Sequence, residues 1–219
     1  MDPRTRGAFI SLEGTEGCGK STQAERLRVW LEARGIEVVL TREPGGTPTG
    51  EAIRGILQHH ASGEPIAVPT EVLLFAASRA QHVAHVIRPA LAAGKWVVCD
   101  RFVDSSLAYQ AYGRDLSVSL LLEINGYAVD GVWPDRTLLF DLSVERAMER
   151  MRERGAAPDR FESEELDFHH RVRDGYQRLA QRFASRYVVI DADQDIDAVH
   201  GNVIEGLGSL FGDFGVGGA

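Results

Sequence analysis

Cysteine is nearly absent from this 219-residue chain: Cys18 and Cys99 are the only two, and they lie far apart. Such a pair supplies no disulfide framework, and no signal-peptide pattern is present, so a reducing cytoplasm is the expected setting. Long apolar runs are missing too. None approaches the roughly 18 residues that cross a bilayer, so a membrane is not an expected partner. Positive charge is in deficit: 24 Lys and Arg against 32 Asp and Glu leave a net charge of −8. Without a broad basic face, nucleic acid is not an expected partner, and a nucleic-acid-stimulated ATPase is disfavoured. Asparagine occurs only at 125 and 202, neither in an N-K-x-D setting, and no D-x-x-G occurs. These absences oppose a guanine-specific GTPase switch.

What is present alternates strand and helix. Apolar Ala8–Leu12 runs into a glycine-rich turn, and Ser21–Arg34 carries Leu27, Trp30 and Leu31 at helical spacing before Gly35. Further strands are expected at Glu37–Thr41, Trp96–Cys99, Thr137–Asp141 and Tyr187–Ile190. Helices are expected over 50–59, 70–93, 116–129, 144–154, 163–184 and 195–207. Five strands separated by helices specify an α/β fold with a doubly wound five-stranded parallel sheet and right-handed crossovers. One domain over 1–207 is expected, with a short lid at about 150–162. The glycine-rich segment 208–219 is expected to be a flexible tail.

Gly14-Thr15-Glu16-Gly17-Cys18-Gly19-Lys20-Ser21 matches G-x-x-x-x-G-K-[ST] in full, between a strand and a helix as the motif requires. The glycines let the backbone turn successive N–H groups inward, and these amides with the helix N-terminus bind phosphate oxygens. ATP is thus expected on residues 14–22, Thr22 included, with Lys20 on the β- and γ-phosphates and the Ser21 hydroxyl on Mg²⁺. A glycine-rich turn with an exposed lysine is the plainer alternative. Motif and context together favour the P-loop NTPase reading.

Asp100-Arg101 ends an apolar strand at its carboxyl edge, where ligands sit in doubly wound sheets. Arg101 can fork onto an acceptor phosphate, and Asp100 can hold Mg²⁺ through a water. Phe75 and Arg79 stand four apart on one helix face. Phe75 alone suits a core equally well; an arginine on the same stripe favours a pocket, because a buried unpaired arginine is costly.

Leu12-Glu-Gly14, Thr41-Arg-Glu-Pro-Gly-Gly-Thr47, Phe75 with Arg79, Asp100-Arg101-Phe102 and Ser105-Ser106-Leu-Ala-Tyr109-Gln110 together resemble thymidylate kinases of the bacterial type, in order and spacing, over roughly 7–207. The resemblance implies transfer of the γ-phosphoryl group of Mg·ATP to dTMP, and a homodimer. It implies that Phe75 stacks on thymine, Arg79 meets a base carbonyl, and Ser106 and Gln110 contact the base. Tyr109 would crowd a ribose 2′-hydroxyl, and Glu16 would meet the 3′-hydroxyl. The Glu43-Pro44 turn would pack against the nucleotide, and Arg54 would add a contact to the acceptor phosphate.

No arginine lies between Gly14 and Gly19, and phosphoryl transfer gains from one near the transferring oxygens. Arg150, Arg152, Arg154 and Arg160 are available in the lid, and similarity points to Arg152 or Arg154 as catalytic alongside Lys20, Asp100 and Arg101. The histidine pairs complete no four-ligand set and are expected to be solvated or core residues. Two other readings stay open: a kinase for another deoxynucleoside monophosphate, and a non-catalytic ATP-binding regulator.

Overall fold

The computed structural model describes residues 6–59, 64–155 and 159–216. Five parallel strands carry it: β1 (Phe9–Glu13), β2 (Val38–Arg42), β3 (Trp96–Asp100), β4 (Arg136–Asp141) and β5 (Tyr187–Asp191), in the spatial order β2-β3-β1-β4-β5. Side chains alternate between the two faces of the pleat. Phe9, Val97, Cys99 and Leu139 therefore enter one core with Phe102, Val172 and Leu179. Ile10, Leu12, Val98, Leu138 and Phe140 enter the other with Leu27, Leu31 and Val203. Burial on both faces explains why the central strands are nearly continuous apolar runs.

Helix α1 (Lys20–Glu32) leaves β1 through the glycine-rich turn, and α2 (Pro48–His59) and α3 (Val68–His82) follow β2. The expected helix 70–93 is three pieces: α3, a wide π turn at Val83–Ile87, and α4 (Arg88–Ala92). Pro89 accounts for the interruption, since it has no N–H for the carbonyl four residues back and its ring crowds that group. A helical segment that periodicity did not reveal follows β3, as α5 (Val103–Ser106) and a second wide turn at Leu107–Gly113.

Helices α6 (Val118–Val129) and α7 (Val144–Arg154) are capped by Ser117 and Ser143, and α8 (Leu166–Arg182) starts three residues later than the charge pattern suggested. Helix α9 (Ile196–Gly206) is capped by Asp195. Expectation and structure part company after it. Residues 208–216 are not a flexible tail: Gly208–Asp213 forms α10, with Leu210 and Phe211 buried. Phe211 stacks on Trp30 at 5.1 Å and on Trp96 at 5.9 Å, and Phe214 meets Trp96 edge-on. Aromatic burial of this kind outweighs the backbone entropy of a few glycines. Residues 217–219 of the expected tail lie outside the described residues. Among the described residues, no helix is long and apolar enough to cross a membrane.

The register brings the chemistry-bearing ends together. Leu12 of β1 lies opposite Asp100 of β3, and Arg101 N donates to the Leu12 carbonyl at 2.9 Å. The turn after β1 and the turn after β3 thus open onto the same carboxyl edge of the sheet.

Candidate functional site

A cavity of about 500 Å³ opens at that edge. Its floor is the turn between β1 and α1. Gly14 has φ +142° and Gly17 φ +74°, and a Cβ at either would come within 2.6 Å of a backbone carbonyl oxygen, of Phe140 or Ala147 respectively. Only glycine fits both the torsion and the space. Lys20 is buried, and its Nζ donates to the carbonyls of Thr15 at 2.7 Å and Gly14 at 3.2 Å. Its amino group therefore sits against the backbone of the loop. The Ser21 hydroxyl donates to Asp100 Oδ2 at 2.6 Å. A hydroxyl and a carboxylate side by side are the hard oxygen donors that Mg²⁺ takes, so this pair fits the expected metal. Glu16, Gly17, Gly19, Lys20, Ser21 and Thr22 line the cavity, whereas Thr15 and Cys18 are buried behind it.

The end of β3 is strained. Arg101 takes φ +71°, a left-handed conformation that costs a non-glycine residue about 1–3 kcal/mol. Its guanidinium is held by Glu16 at 2.6 Å, by the Gly14 carbonyl at 3.0 Å and by the hydroxyls of Tyr109 and Tyr176, both at 3.2 Å. Two carboxylates three residues apart respond in opposite directions. Burial would raise Glu16, but the charges of Arg101 and Lys20 outweigh it and hold the group down to about 2. Glu13 has no such cation in contact. Burial first, and then the nearby Asp104 charge, push it up to about 7, although Phe102 N, Ser105 Oγ and Tyr176 OH all donate to it.

The opposite wall carries Phe75 and Arg79 of α3. Arg79 is buried and almost fully engaged: Nε donates to Glu43 Oε2 at 2.8 Å, Nη1 to Ser106 and to Asn125 Oδ1, and Nη2 to the Phe102 carbonyl at 3.0 Å. Of five guanidinium hydrogens, one on Nη2 remains. The second Glu43 oxygen faces His82 Nδ1 at 3.0 Å, and His82 Nε2 meets Thr41 Oγ1 at 2.7 Å. Glu43 is thus committed to orienting Arg79, and His82 is a core residue with both nitrogens in contact. Arg54 donates to the Pro44 carbonyl at 3.1 Å. Pro44, Arg54, Phe75, Ser106, Tyr109 and Gln110 all line the cavity.

The segment expected to form the lid contributes through its last residues. Asp159 accepts from Gln58 at 2.9 Å, Arg160 pairs with Glu71 at 2.6 Å, and the buried Phe161 ring lies 5.7 Å from Phe75 and 6.0 Å from Tyr109. Arg154 lines the cavity and pairs with Glu162 at 2.6 Å. Arg152 is exposed and is not among the lining residues, while Arg150 is. Residues 156–158 of the expected lid lie outside the described residues.

Four contributors escaped sequence reasoning: Glu13, Asn125, Phe161 and Tyr176. Each acts through tertiary contact; Glu13, within Leu12-Glu-Gly14, and Phe161, within the expected lid, lay inside segments already singled out but had been given no role. Asn125 had been weighed solely as a missing guanine-reading residue.

Comparison with known proteins places the chain in context. The family model described as thymidylate kinase matches residues 12–203. A thymidylate kinase of Chromohalobacter salexigens is 50% identical over 199 residues, covering 91% of this chain and 94% of the relative. One from Pelotomaculum thermopropionicum is 51% identical over 201 residues, covering 91% and 92%. The crystal structure of thymidylate kinase from Ehrlichia chaffeensis superposes with a TM-score of 0.76 at 37% identity, over 92% of this chain and 98% of that one.

Proposed function

The chain belongs to the thymidylate kinase family, and from that premise we propose which of its groups carry the reaction. The activity is ATP-dependent phosphoryl transfer to dTMP, giving dTDP and ADP. One observation supports the assignment of residues best: Lys20 and Ser21, Asp100 and Arg101, and Phe75 and Arg79, from separate stretches of the sequence, line one cavity.

On the donor side, the amides of 14–22 and the α1 N-terminus hold the ATP phosphates, with Lys20 on the β- and γ-oxygens. Ser21 directly, and Asp100 through water, would hold Mg²⁺, which when bound neutralises charge on those oxygens. On the acceptor side, Arg101 and Arg54 hold the dTMP phosphate. Phe75 stacks on the base, the remaining Arg79 hydrogen meets a base carbonyl, and Ser106 and Gln110 complete the base contacts. Tyr109 crowds the 2′ position, and Glu16, ionised at neutral pH, accepts from the 3′-hydroxyl. Pro44 packs against the nucleotide while Glu43 fixes Arg79. Lid arginines add charge at the transferring group, and lining favours Arg154 over Arg152. The acceptor oxygen is already ionised, so positioning and charge neutralisation supply most of the rate and no strong base is required.

A cytoplasmic homodimer is part of the proposal. The two cysteines are unpaired, and Leu73 on α3 with Leu120 and Tyr127 on α6 are exposed apolar side chains on two helices that pack together. Such a surface suits a self-complementary contact.

ADP release from Mg·ATP with dTMP, dUMP, UMP, dGMP and dCMP in parallel tests the assignment. Fast turnover with dTMP and weaker turnover with dUMP is the expected result. Preference for another monophosphate would remove the roles given to Phe75, Arg79 and Ser106. ATP binding without any monophosphate-dependent turnover would leave the regulator reading standing instead.

A further inference from the structure

Glu71, on the first turn of α3, is 1% exposed and has itself been given no part in the transfer. Three side chains converge on its carboxylate. Arg160 approaches Oε2 at 2.6 Å, Gln110 Nε2 donates to Oε1 at 2.9 Å, and Arg114 donates from Nε and Nη2 at 3.3 Å each. Gln110 lines the cavity one helical turn beyond Ser106, the residue that Arg79 contacts. Arg160 and Arg114 also place donors on it, so this carboxylate acts as an acceptor and the amide nitrogen of Gln110 must be the atom that faces Glu71. The amide oxygen is thereby turned the other way. That Oε1 is buried and has no hydrogen-bond partner among the described residues. A buried acceptor left bare in a cavity-lining side chain signals a donor supplied by something else.

We propose that Glu71 is a positioning residue: it holds Gln110 so that the amide oxygen accepts from a ring N–H of the acceptor's base. The proposal rests on the thymidylate reading. A 2,4-dioxopyrimidine offers a carbonyl beside a ring N–H, which match the remaining Arg79 donor and the Gln110 acceptor. Cytosine offers an amino group and a bare ring nitrogen at the same two positions, and so meets donor with donor and acceptor with acceptor. Glu71 sets this polarity, and because Arg160 shares its carboxylate, the segment around Asp159–Glu162 is tied to the same group that orients the base reader.

Steady-state kinetics with dTMP and dCMP at saturating Mg·ATP test this in the wild type, Glu71→Gln, Glu71→Asp and Gln110→Leu. A glutamine at 71 can both donate and accept, so it releases the amide of Gln110 to turn over. The ratio of kcat/KM for dTMP over dCMP should fall about tenfold or more in Glu71→Gln, mainly through the KM for dTMP, while the KM for ATP stays within about twofold. Glu71→Asp, still acceptor-only, should keep most of the selectivity, which a general packing role would not predict. Gln110→Leu removes the acceptor without touching Glu71 and should lower the ratio to a similar extent; it decides the matter if Glu71→Gln does not fold. An unchanged ratio in Gln110→Leu, or a fall there with none in a folded Glu71→Gln, overturns the proposal. A wild type that ignores dTMP overturns the functional reading itself, and the proposal with it.

Discussion

The two ends of one sheet are built on opposite principles. At the carboxyl edge stand left-handed residues at 14, 17, 19 and 101, the buried cation Lys20, the buried Arg79–Glu43 pair and a carboxylate pushed up to about 7. At the amino edge, Trp96 opens β3 under a stack of Trp30, Phe211 and Phe214, and the contact is mainly aromatic area, with the Arg34 and Arg6 guanidinium groups lying over the Trp30 and Phe214 rings. The first end holds strain and desolvated charge that a fold optimised for stability alone would shed; the second returns stability without taking part in chemistry. Function and stability should therefore separate by position along the same strands, and substitutions can break or sharpen that division.

The largest effect belongs to Lys20→Ala. Turnover of Mg·ATP with dTMP should drop at least about a thousandfold, because a preorganised charge at the transferring oxygens is lost. Thermal unfolding should scarcely move, since Nζ contacts only local loop atoms. Loss of both together would merge what the comparison separates. Arg79→Met, at the same edge, should cost both properties. It leaves Glu43 buried with only His82 for company, so unfolding free energy should fall by about 3 kcal/mol along with the loss of base contact. Adding Glu43→Gln should restore part of the stability and none of the activity. Separate measurement of chemical denaturation and dTMP kinetics distinguishes the two losses.

How far each end could be read from residues alone follows the same division. The phosphate cradle is contiguous, and its chemistry dictates glycine, lysine and serine at fixed spacing, so one stretch announced strand, turn and helix at once. The opposite wall was legible mainly as a resemblance, with Asp100-Arg101 and the Phe75/Arg79 pair the only parts that position and spacing suggested. Nothing local says that Glu43 binds Arg79 across 36 positions, or that Glu16 binds Arg101 across 85. Asn125, Tyr176 and Glu71 act through such distant pairings and stayed invisible. The amino edge was misread outright. Five glycines in 208–219 suggested a flexible tail, whereas Leu210, Phe211 and Phe214 stand at helical spacing and find Trp30 and Trp96 waiting. Composition counts entropy, but the burial that offsets it depends on a surface elsewhere in the chain.

Phe211→Ala tests that edge. The ring is buried between two tryptophans, so its removal should lower unfolding free energy by about 3 kcal/mol while kcat for dTMP stays within about twofold. A large fall in kcat at a temperature where the variant remains folded would show that the two ends communicate.

The smallest effect is a difference in pH dependence. Glu13 sits beneath Arg101 with its pKa raised by burial and by Asp104 from an ordinary value of 4.5 to about 7. A carboxyl raised on folding binds its proton more tightly in the native state than in the unfolded chain. Its favourable contribution is therefore complete below about pH 4.5 and disappears as pH rises through about 7. Between pH 5 and 8 the wild type should lose about 2 kcal/mol of unfolding free energy relative to Glu13→Gln, whose side chain does not titrate. The variant has its own constant penalty, because one of the donors from Phe102, Ser105 and Tyr176 now meets an amide nitrogen; only the slope carries the information. Glu16, held down to about 2, stays ionised throughout this range and adds no slope. Phe211→Ala should displace the whole curve downward in parallel with the wild type, since nothing that titrates is lost. Parallel curves for wild type and Glu13→Gln would instead place the Glu13 proton elsewhere, and the carboxyl edge would then hold its buried acid as an ordinary carboxylate stabilised by its three donors.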